Sequence, residues 1–374
     1  MSSGTSIAVV GGGVIGLSIA WRAAAAGHPV TLFDPEPGRG ASWVAGGMLA
    51  PVTEAWPGEE ASLELGSDSL RRWPSFARQL TSDAFDPGLS MAGTVVAAAD
   101  SADATQLGLL ADYLRSLGRE VETVIGRQLR ARVPGLSSSL RSGLVVPGDL
   151  AVDNRKLLDA LRMACERHHV DFRPEAARQL SGSSVSTDTA RLSFDAVVLA
   201  AGARSALLHP ELSDAIRPLK GEIVRLRARR GSLPPPRVTV RASAEGRPIY
   251  LVPRDSGELV IGATQYEGGF DESVKAGGVR ELLDYAEQVF PSVAEYELVE
   301  VQAGLRSASS DNLPLIGPLG DGVIVASGHY RNGLLLAPIT ADAVLAVVAG
   351  DGLPGYAREA NPGRMAGREA MSRE

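Results

Sequence analysis

The stretch that decides the fold runs Ile7-Ala-Val-Val10, Gly11-Gly12-Gly13-Val14-Ile15-Gly16, Leu17-Ser-Ile-Ala-Trp-Arg-Ala-Ala-Ala-Ala26, Gly27-His-Pro29 and Val30-Thr-Leu-Phe-Asp34. Four consecutive apolar residues fit a buried strand, and the glycines fit a tight turn. Leu17, Ala20, Trp21 and Ala24 recur at helical spacing, Gly27 ends that helix, and Val30 to Phe33 begin a second strand. The unit is β-α-β, with Gly11, Gly13 and Gly16 at the glycine positions of G-x-G-x-x-G. Gly11 permits the turn, Gly13 lets a pyrophosphate approach the backbone, and Gly16 lets helix and strand pack closely. The helix N-terminus offers free N–H groups to phosphate. Asp34 closes the second strand, where a carboxylate can accept both hydroxyls of an adenosine ribose. The stretch therefore predicts a dinucleotide site without saying which dinucleotide.

The 374 residues suffice for one large core or two smaller ones. With 44% hydrophobic and 22% charged residues the composition is that of a soluble globular protein. A net charge of −7 without a run of five or six like charges argues against nucleic acid as a partner. No apolar stretch reaches the roughly 18 residues of a membrane span. No charged leader precedes the first strand, so a cytoplasmic location is expected. The single cysteine, Cys165, excludes an intrachain disulfide. It shares a helical face with Leu157, Leu158 and Leu161 and reads as core filler. The histidines are scattered apart from His168-His169, so no metal site is expected. There is no G-x-S-x-G, no HExxH and no Lys-Ser/Thr phosphate loop.

Beyond Asp34, residues 37–51 read as a loop whose Ser42 and paired Gly46-Gly47 let backbone pass close to a flat ligand, while Met48 and Leu49 argue against a plain surface loop. Helices are expected over 63–80, 107–117, from Asp153 as N-cap, over 281–290 and over 334–349. Residues 121–132 read as a strand or a short helix. Asp195-Ala-Val-Val-Leu-Ala-Ala-Gly202 is a second buried strand with Ala-Ala-Gly at its carboxyl end, where open α/β sheets place ligands. From Ile216 an alternating, strand-rich region predicts an antiparallel sheet, with Asp255-Ser-Gly257 as a hairpin turn. Residues after Gly355 are expected to form a frayed tail.

Two arginines are framed by glycines: Gly304-Leu-Arg306 and Gly328-His-Tyr-Arg331-Asn-Gly333. Such a guanidinium can grip a carboxylate with two parallel hydrogen bonds; the plainer alternative for each is a surface or interdomain salt bridge. Tyr250 could add a hydroxyl, or only pack. His329 is a candidate base, or a turn histidine bonded to backbone.

These residues together resemble a known family. Gly11 to Gly16 with Asp34, the segment Ala41-Ser42 through Gly46-Gly47-Met48-Leu49, and Ala200-Ala-Gly202 resemble the FAD-binding side of the D-amino-acid oxidase-like flavoproteins. Gly304-Leu-Arg306 and Gly328-His-Tyr-Arg-Asn-Gly-Leu-Leu-Leu-Ala-Pro338 are similar to the glycine oxidases of that family, the type associated with thiamine biosynthesis. The resemblance covers residues 6–52 and 303–348 closely, and the middle only in patches.

It implies an α/β fold: a Rossmann-like FAD domain and a second, α+β substrate domain on a mixed or antiparallel sheet. The implied FAD domain is discontinuous over 1–85, 150–215 and 300–355. The substrate domain takes 86–149 and 216–299, and 356–374 form a flexible tail. Gly11, Gly13, Val14, Ile15, Gly16, Asp34, Ser42, Gly46, Gly47, Met48 and Gly202 are implied to line FAD, with the backbone near Ala177 on the adenine side. His329, Tyr330, Arg331, Asn332, Gly333, Leu334 and Leu335 are implied to close over the flavin ring. Arg306 and Arg331 are implied to meet the substrate carboxylate, with Tyr250 assisting. FAD is expected to be noncovalent, since Cys165 sits on a mid-chain helix. The implied reaction is oxidation of glycine, or of sarcosine or a small D-amino acid, by O₂ to the imino acid and glyoxylate with H₂O₂. An amino-acid dehydrogenase with another acceptor and a flavin subunit without turnover of its own stay open, as does a homo-oligomer.

Overall fold

The computed structural model describes residues 4–244 and 246–365. The opening stretch folds as its pattern dictates: strand Ile7–Val10, helix Val14–Ala25 and strand Val30–Phe33. They nucleate a six-stranded sheet ordered Leu315–Pro318, Ile324–Ser327, Ala196–Leu199, Ile7–Val10, Val30–Phe33, Asp171–Arg173. Its neighbours run parallel except for the edge strand Leu315–Pro318. Helix Val14–Ala25 is apolar nearly all round because it is covered on all sides. It packs against helices Asn154–Arg167 and Ala337–Val348 as well as the sheet, and Leu17, Ile19, Trp21 and Cys165 are fully buried there. Asp153 caps helix Asn154–Arg167 by accepting from the N–H groups of Arg155 and Lys156, as expected.

The second sheet has eight strands, ordered Glu297–Ser309, Ile216–Arg227, Glu258–Gly262, Arg247–Pro253, Thr239–Ala244, Thr94–Ala98, Ser142–Val146, Glu122–Ile125. It is mixed rather than purely antiparallel, because Thr239–Ala244 pairs parallel with Thr94–Ala98. One face carries Val224, Leu226, Leu251 and Ile261, packed against Leu282, Ala286 and Val289 of helix Ala276–Val289. The other face turns toward the first sheet.

Three expectations need correction. The boundary expected at residue 300 cuts through strand Glu297–Ser309, which pairs along its length with Ile216–Arg227 and so lies in the second sheet. The glycine-rich segment is not all loop: it holds a short helix, Ala41–Val44, and a strand, Met48–Leu49, paired with Leu150–Val152. The chain from Gly355 to Met365 is not a loose tail. Residues Gly355–Ala360 form a 3₁₀ helix burying Ala357 and Ala360, and the Arg364 guanidinium donates two hydrogen bonds to Asp311. The rest of the expected tail, 366–374, lies outside the described residues. Residues 121–132 turn out to be both elements, strand Glu122–Ile125 followed by helix Gly126–Arg132. No described helix is long and apolar enough to cross a membrane.

Candidate active site

The first half of the site is the turn before helix Val14–Ala25. Gly11 has φ +107°, a conformation that favours glycine, and its backbone lies against Ala200 and Ala201, the chain leading to Gly202. Gly16 lies against the Gly11 carbonyl, and a Cβ there would overlap that oxygen. Gly13 is the N-cap and has no side chain of its own to cap the helix, whose first turn holds no acid. Apart from the Val14 N–H, the helix start is open to an anion, a charge pattern suited to phosphate. The Val14 N–H donates to Ser42 Oγ at 3.1 Å, tying the expected phosphate turn to the glycine-rich segment. Asp34 accepts from the Gly12 N–H at 2.7 Å and the Glu36 N–H at 2.8 Å, one on each carboxylate oxygen. Ala177 packs on the same core as Phe33, at this end of the sheet. The Gly202 carbonyl accepts from Ser327 Oγ at 2.9 Å, closing the row of strand ends. This arrangement fits a dinucleotide: a helix start open to an anion, a turn without side chains, and an acid at the neighbouring strand end.

The second half is the inner face of the eight-stranded sheet, and strand register defines it. Gln302 faces Ile223, Ile223 faces Gly262, Gly262 faces Tyr250, and Tyr250 faces Arg241. Directly opposed residues share a face, as do residues two apart along a strand. Arg306, Tyr250 and Arg241 therefore stand on one face, together with Gly221 and Gly304. Gly46 and Gly262 flank the Tyr250 ring, and a Cβ at Gly46 would come 2.6 Å from Cε2. The Tyr250 hydroxyl has no hydrogen-bond partner among the described residues. Burial raises its pKa, so it stays protonated; the charges acting on it are Arg306, Arg241 and Arg225 against Glu54.

The Arg306 guanidinium lies flat over Gly221, whose missing side chain makes room for it. It donates one hydrogen bond, from Nη1 to the Thr264 carbonyl at 3.2 Å. Among the described residues no carboxylate pairs with it. Arg331 is different. Its Nε lies 3.2 Å from Glu54 and its Nη2 3.5 Å from Glu59. The structure thus separates the two arginines that the sequence treats alike: Arg331 takes the salt-bridge alternative, and Arg306 has a free charge.

The turn 329–335 closes between the two sheets. His329 is buried, its Nε2 3.0 Å from Thr340 Oγ1, and burial pushes its pKa down to about 3. It is a neutral core group and no base. The Tyr330 N–H donates to the Ser307 carbonyl at 2.7 Å, and its hydroxyl to Gln265 Oε1 at 2.9 Å. Asn332 and Gly333 complete the turn. Leu334 and Leu335 point into the first core, and the Leu335 carbonyl accepts from Ser69 Oγ and Trp73 Nε1.

Several site residues carry no signal in the sequence. Glu54 joins Arg331 to Arg241, whose Nη1 lies 2.6 Å away and also contacts the Met48 sulfur at 3.6 Å. Asn154 is fully buried between the halves. Its Nδ2 donates to the Ser42 and Trp43 carbonyls at 2.9 and 2.8 Å. Its Oδ1 accepts from Arg225 at 3.1 Å and Arg254 at 3.0 Å. Arg254 also donates to the Gly46 carbonyl at 2.7 Å, and the φ of +91° at Gly47 turns that backbone against Val152. Position next to an N-cap was the only hint of Asn154.

Known proteins share this arrangement of sequence and fold. The pattern of the family described as FAD dependent oxidoreductase matches residues 6–346. The glycine oxidase of Geobacillus kaustophilus (strain HTA426) is 33% identical over 350 residues, covering 89% of this chain and 90% of that one. A putative thiamine biosynthesis oxidoreductase, ThiO, of Rhizobium etli is 33% identical over 341 residues, covering 90% of this chain and 94% of that one. The crystal structure of glycine oxidase from Geobacillus kaustophilus superimposes with a TM-score of 0.88 at 30% identity, covering 96% of this chain and 98% of that one.

Proposed function

The chain belongs to the FAD-dependent oxidoreductase family, and from that membership we propose that it oxidises glycine, or an amine of nearly that size, with O₂ as acceptor. The observation that carries the reading is the Arg306 guanidinium: half-buried, unmatched by any carboxylate among the described residues, and on the same sheet face as an unbonded tyrosine hydroxyl. A free guanidinium in a partly desolvated site is a receptor for a planar anion. Arg306 holds the substrate carboxylate, and the Tyr250 hydroxyl donates to the same group.

FAD, when bound, supplies the two-electron acceptor that no side chain here can provide. Gly11, Gly13, Val14, Ile15, Gly16, Asp34 and Ser42 would hold its adenosine and pyrophosphate, with Ala177 and Gly202 beside them. Gly46, Gly47, Met48 and the turn His329–Leu335 would hold its ring. The protein orients substrate and sets charge. Arg306, with no acid against it, leaves positive charge on the face that carries Tyr250, and this favours a carboxylate there. Fixing the carboxylate aligns the C–H bond by proximity alone, which is why no strong base is needed. Overall, glycine, O₂ and water give glyoxylate, ammonia and H₂O₂. We place this reaction in the cytoplasm, supplying thiamine biosynthesis.

An anaerobic flavin-bleaching screen with glycine, sarcosine and D-alanine tests the reading, followed by peroxide measurement in air. Bleaching by glycine with peroxide in air is the expected result. Bleaching without peroxide makes the enzyme a dehydrogenase, and no bleaching by any of the three overturns the reading.

A further inference from the structure

Arg306 is aimed by a single contact, and what fixes that contact lies on the other side of the sheet. The acceptor is the Thr264 carbonyl, in the segment that follows strand Glu258–Gly262. The Thr264 hydroxyl is spent twice on one residue. It accepts from the Glu222 N–H at 2.9 Å and donates to Glu222 Oε2 at 3.1 Å. The Thr264 N–H in turn donates to the Glu222 carbonyl at 3.3 Å. Glu222 follows Gly221, the residue under the guanidinium, and its side chain points to the opposite face.

Glu222 is fully buried, and among the described residues no lysine, arginine or histidine pairs with it. Burying an unpaired carboxylate is costly. Here the cost is offset by hydrogen bonds and by a helix end: Oε1 accepts from the Lys275 N–H at 2.7 Å, at the N-cap of helix Ala276–Val289. The carboxylate is thereby pinned at both oxygens, one to the helix and one to Thr264. It cannot shift without losing its bond to the start of that helix.

We propose that Glu222 and Thr264 are positioning residues for Arg306, a clamp running from the helix N-terminus through the sheet to the carboxylate-binding guanidinium. This deepens the reading of Arg306 given above and rests on it. The clamp sets the direction of the Thr264 carbonyl, and that carbonyl leaves the remaining guanidinium N–H groups directed at the substrate. Thr264→Val keeps the shape of the side chain and removes both hydroxyl bonds; Thr264→Ser keeps the hydroxyl.

The test uses the FAD-loaded enzyme and acetate, an inert carboxylate whose binding is read by the change in flavin absorbance, alongside kcat and KM for glycine. For Thr264→Val the expected result is about tenfold weaker acetate binding and a similarly raised KM, with kcat changed about twofold or less. Thr264→Ser should restore both to near the parent. Should Thr264→Val not fold, Glu222→Gln, which replaces one acceptor with a donor, is read by the same titration and should shift acetate binding in the same direction. Arg306→Ala is run in parallel. If it loses acetate while the folded clamp variants bind acetate like the parent, the clamp is wrong. If Arg306→Ala itself keeps parental acetate affinity, the reading of Arg306 fails instead. A lowered melting temperature with unchanged acetate affinity would make the pair merely structural and also overturn the proposal.

Discussion

Replacing Arg306 with alanine separates binding from folding more cleanly than any other change in this protein. Within the protein the guanidinium makes one hydrogen bond, 3.2 Å long, to a backbone carbonyl, and pairs with no acid among the described residues. Its removal leaves no buried carboxylate uncompensated. The loss to stability is therefore about 1 kcal/mol, about 2 °C in melting temperature for a chain of this length. With substrate bound, the same group makes two charge-assisted hydrogen bonds at about 1.5–3 kcal/mol each. Losing both lowers kcat/KM for glycine by about 10² to 10⁴, chiefly through KM. Arg306→Lys keeps the charge without the planar fork and should fall between. Initial rates of peroxide formation, normalised to flavin content and paired with thermal melts, measure both quantities. A kcat/KM within about threefold of the parent at full flavin occupancy refutes the carboxylate role; a melting temperature lowered by about 10 °C would show that Arg306 is a structural residue.

Arg331→Leu should cost at least about tenfold less in kcat/KM than Arg306→Ala, because its charge is already matched by Glu54 and Glu59 at a partly exposed site; equal losses in steady-state assays would restore Arg331 to the substrate. Gly16→Ala should lower flavin content and melting temperature together, since the added methyl overlaps the Gly11 carbonyl and pushes helix Val14–Ala25 off its strand; a purified variant with parental flavin content contradicts the close-packing role. Asp149 is fully buried and accepts hydrogen bonds from Val52 and Thr53, yet burial raises its pKa from 3.8 to about 6. The folded state thus holds this proton more tightly than the unfolded one. Its contribution is present in full below pH 3.8 and is lost as pH rises through about 6, a change of about 3 kcal/mol. The melting temperature of the parent minus that of Asp149→Asn should therefore fall between pH 4 and 7, and parallel profiles would exclude the effect.

Features set by near neighbours in the chain were legible from the sequence. The glycine spacing and the apolar runs define the first β-α-β unit locally, and Asp153 and Asp255-Ser-Gly257 announce a helix start and a hairpin within four residues. Cys165 was legible too, because helical periodicity alone places it in the core. What escaped depends on distant pairing. Strand Glu297–Ser309 finds its partner some 80 residues earlier, so the pattern before and after residue 300 gives no hint of the sheet it joins. Arg331 and Arg306 have the same glycine-framed neighbourhood. They differ only in whether Glu54, far away in the chain, reaches them. The glycine-rich segment looked like loop because its short helix is stabilised by contacts outside it: Val44 and Ala41 pack on Gly304, and Asn154 holds its carbonyls.

Asn154 has a wider consequence. Its carboxamide has two donors and an oxygen that accepts twice, and all four places are filled, two from each half of the molecule. Arg225 and Arg254, which fill two of them, are themselves buried. If either half melted alone, Asn154, Arg225 and Arg254 would lose the hydrogen bonds they make across the interface. The two halves are thus coupled through this network, and the loss of structure in one weakens the other. A single neutral side chain makes the cofactor cradle and the substrate face interdependent.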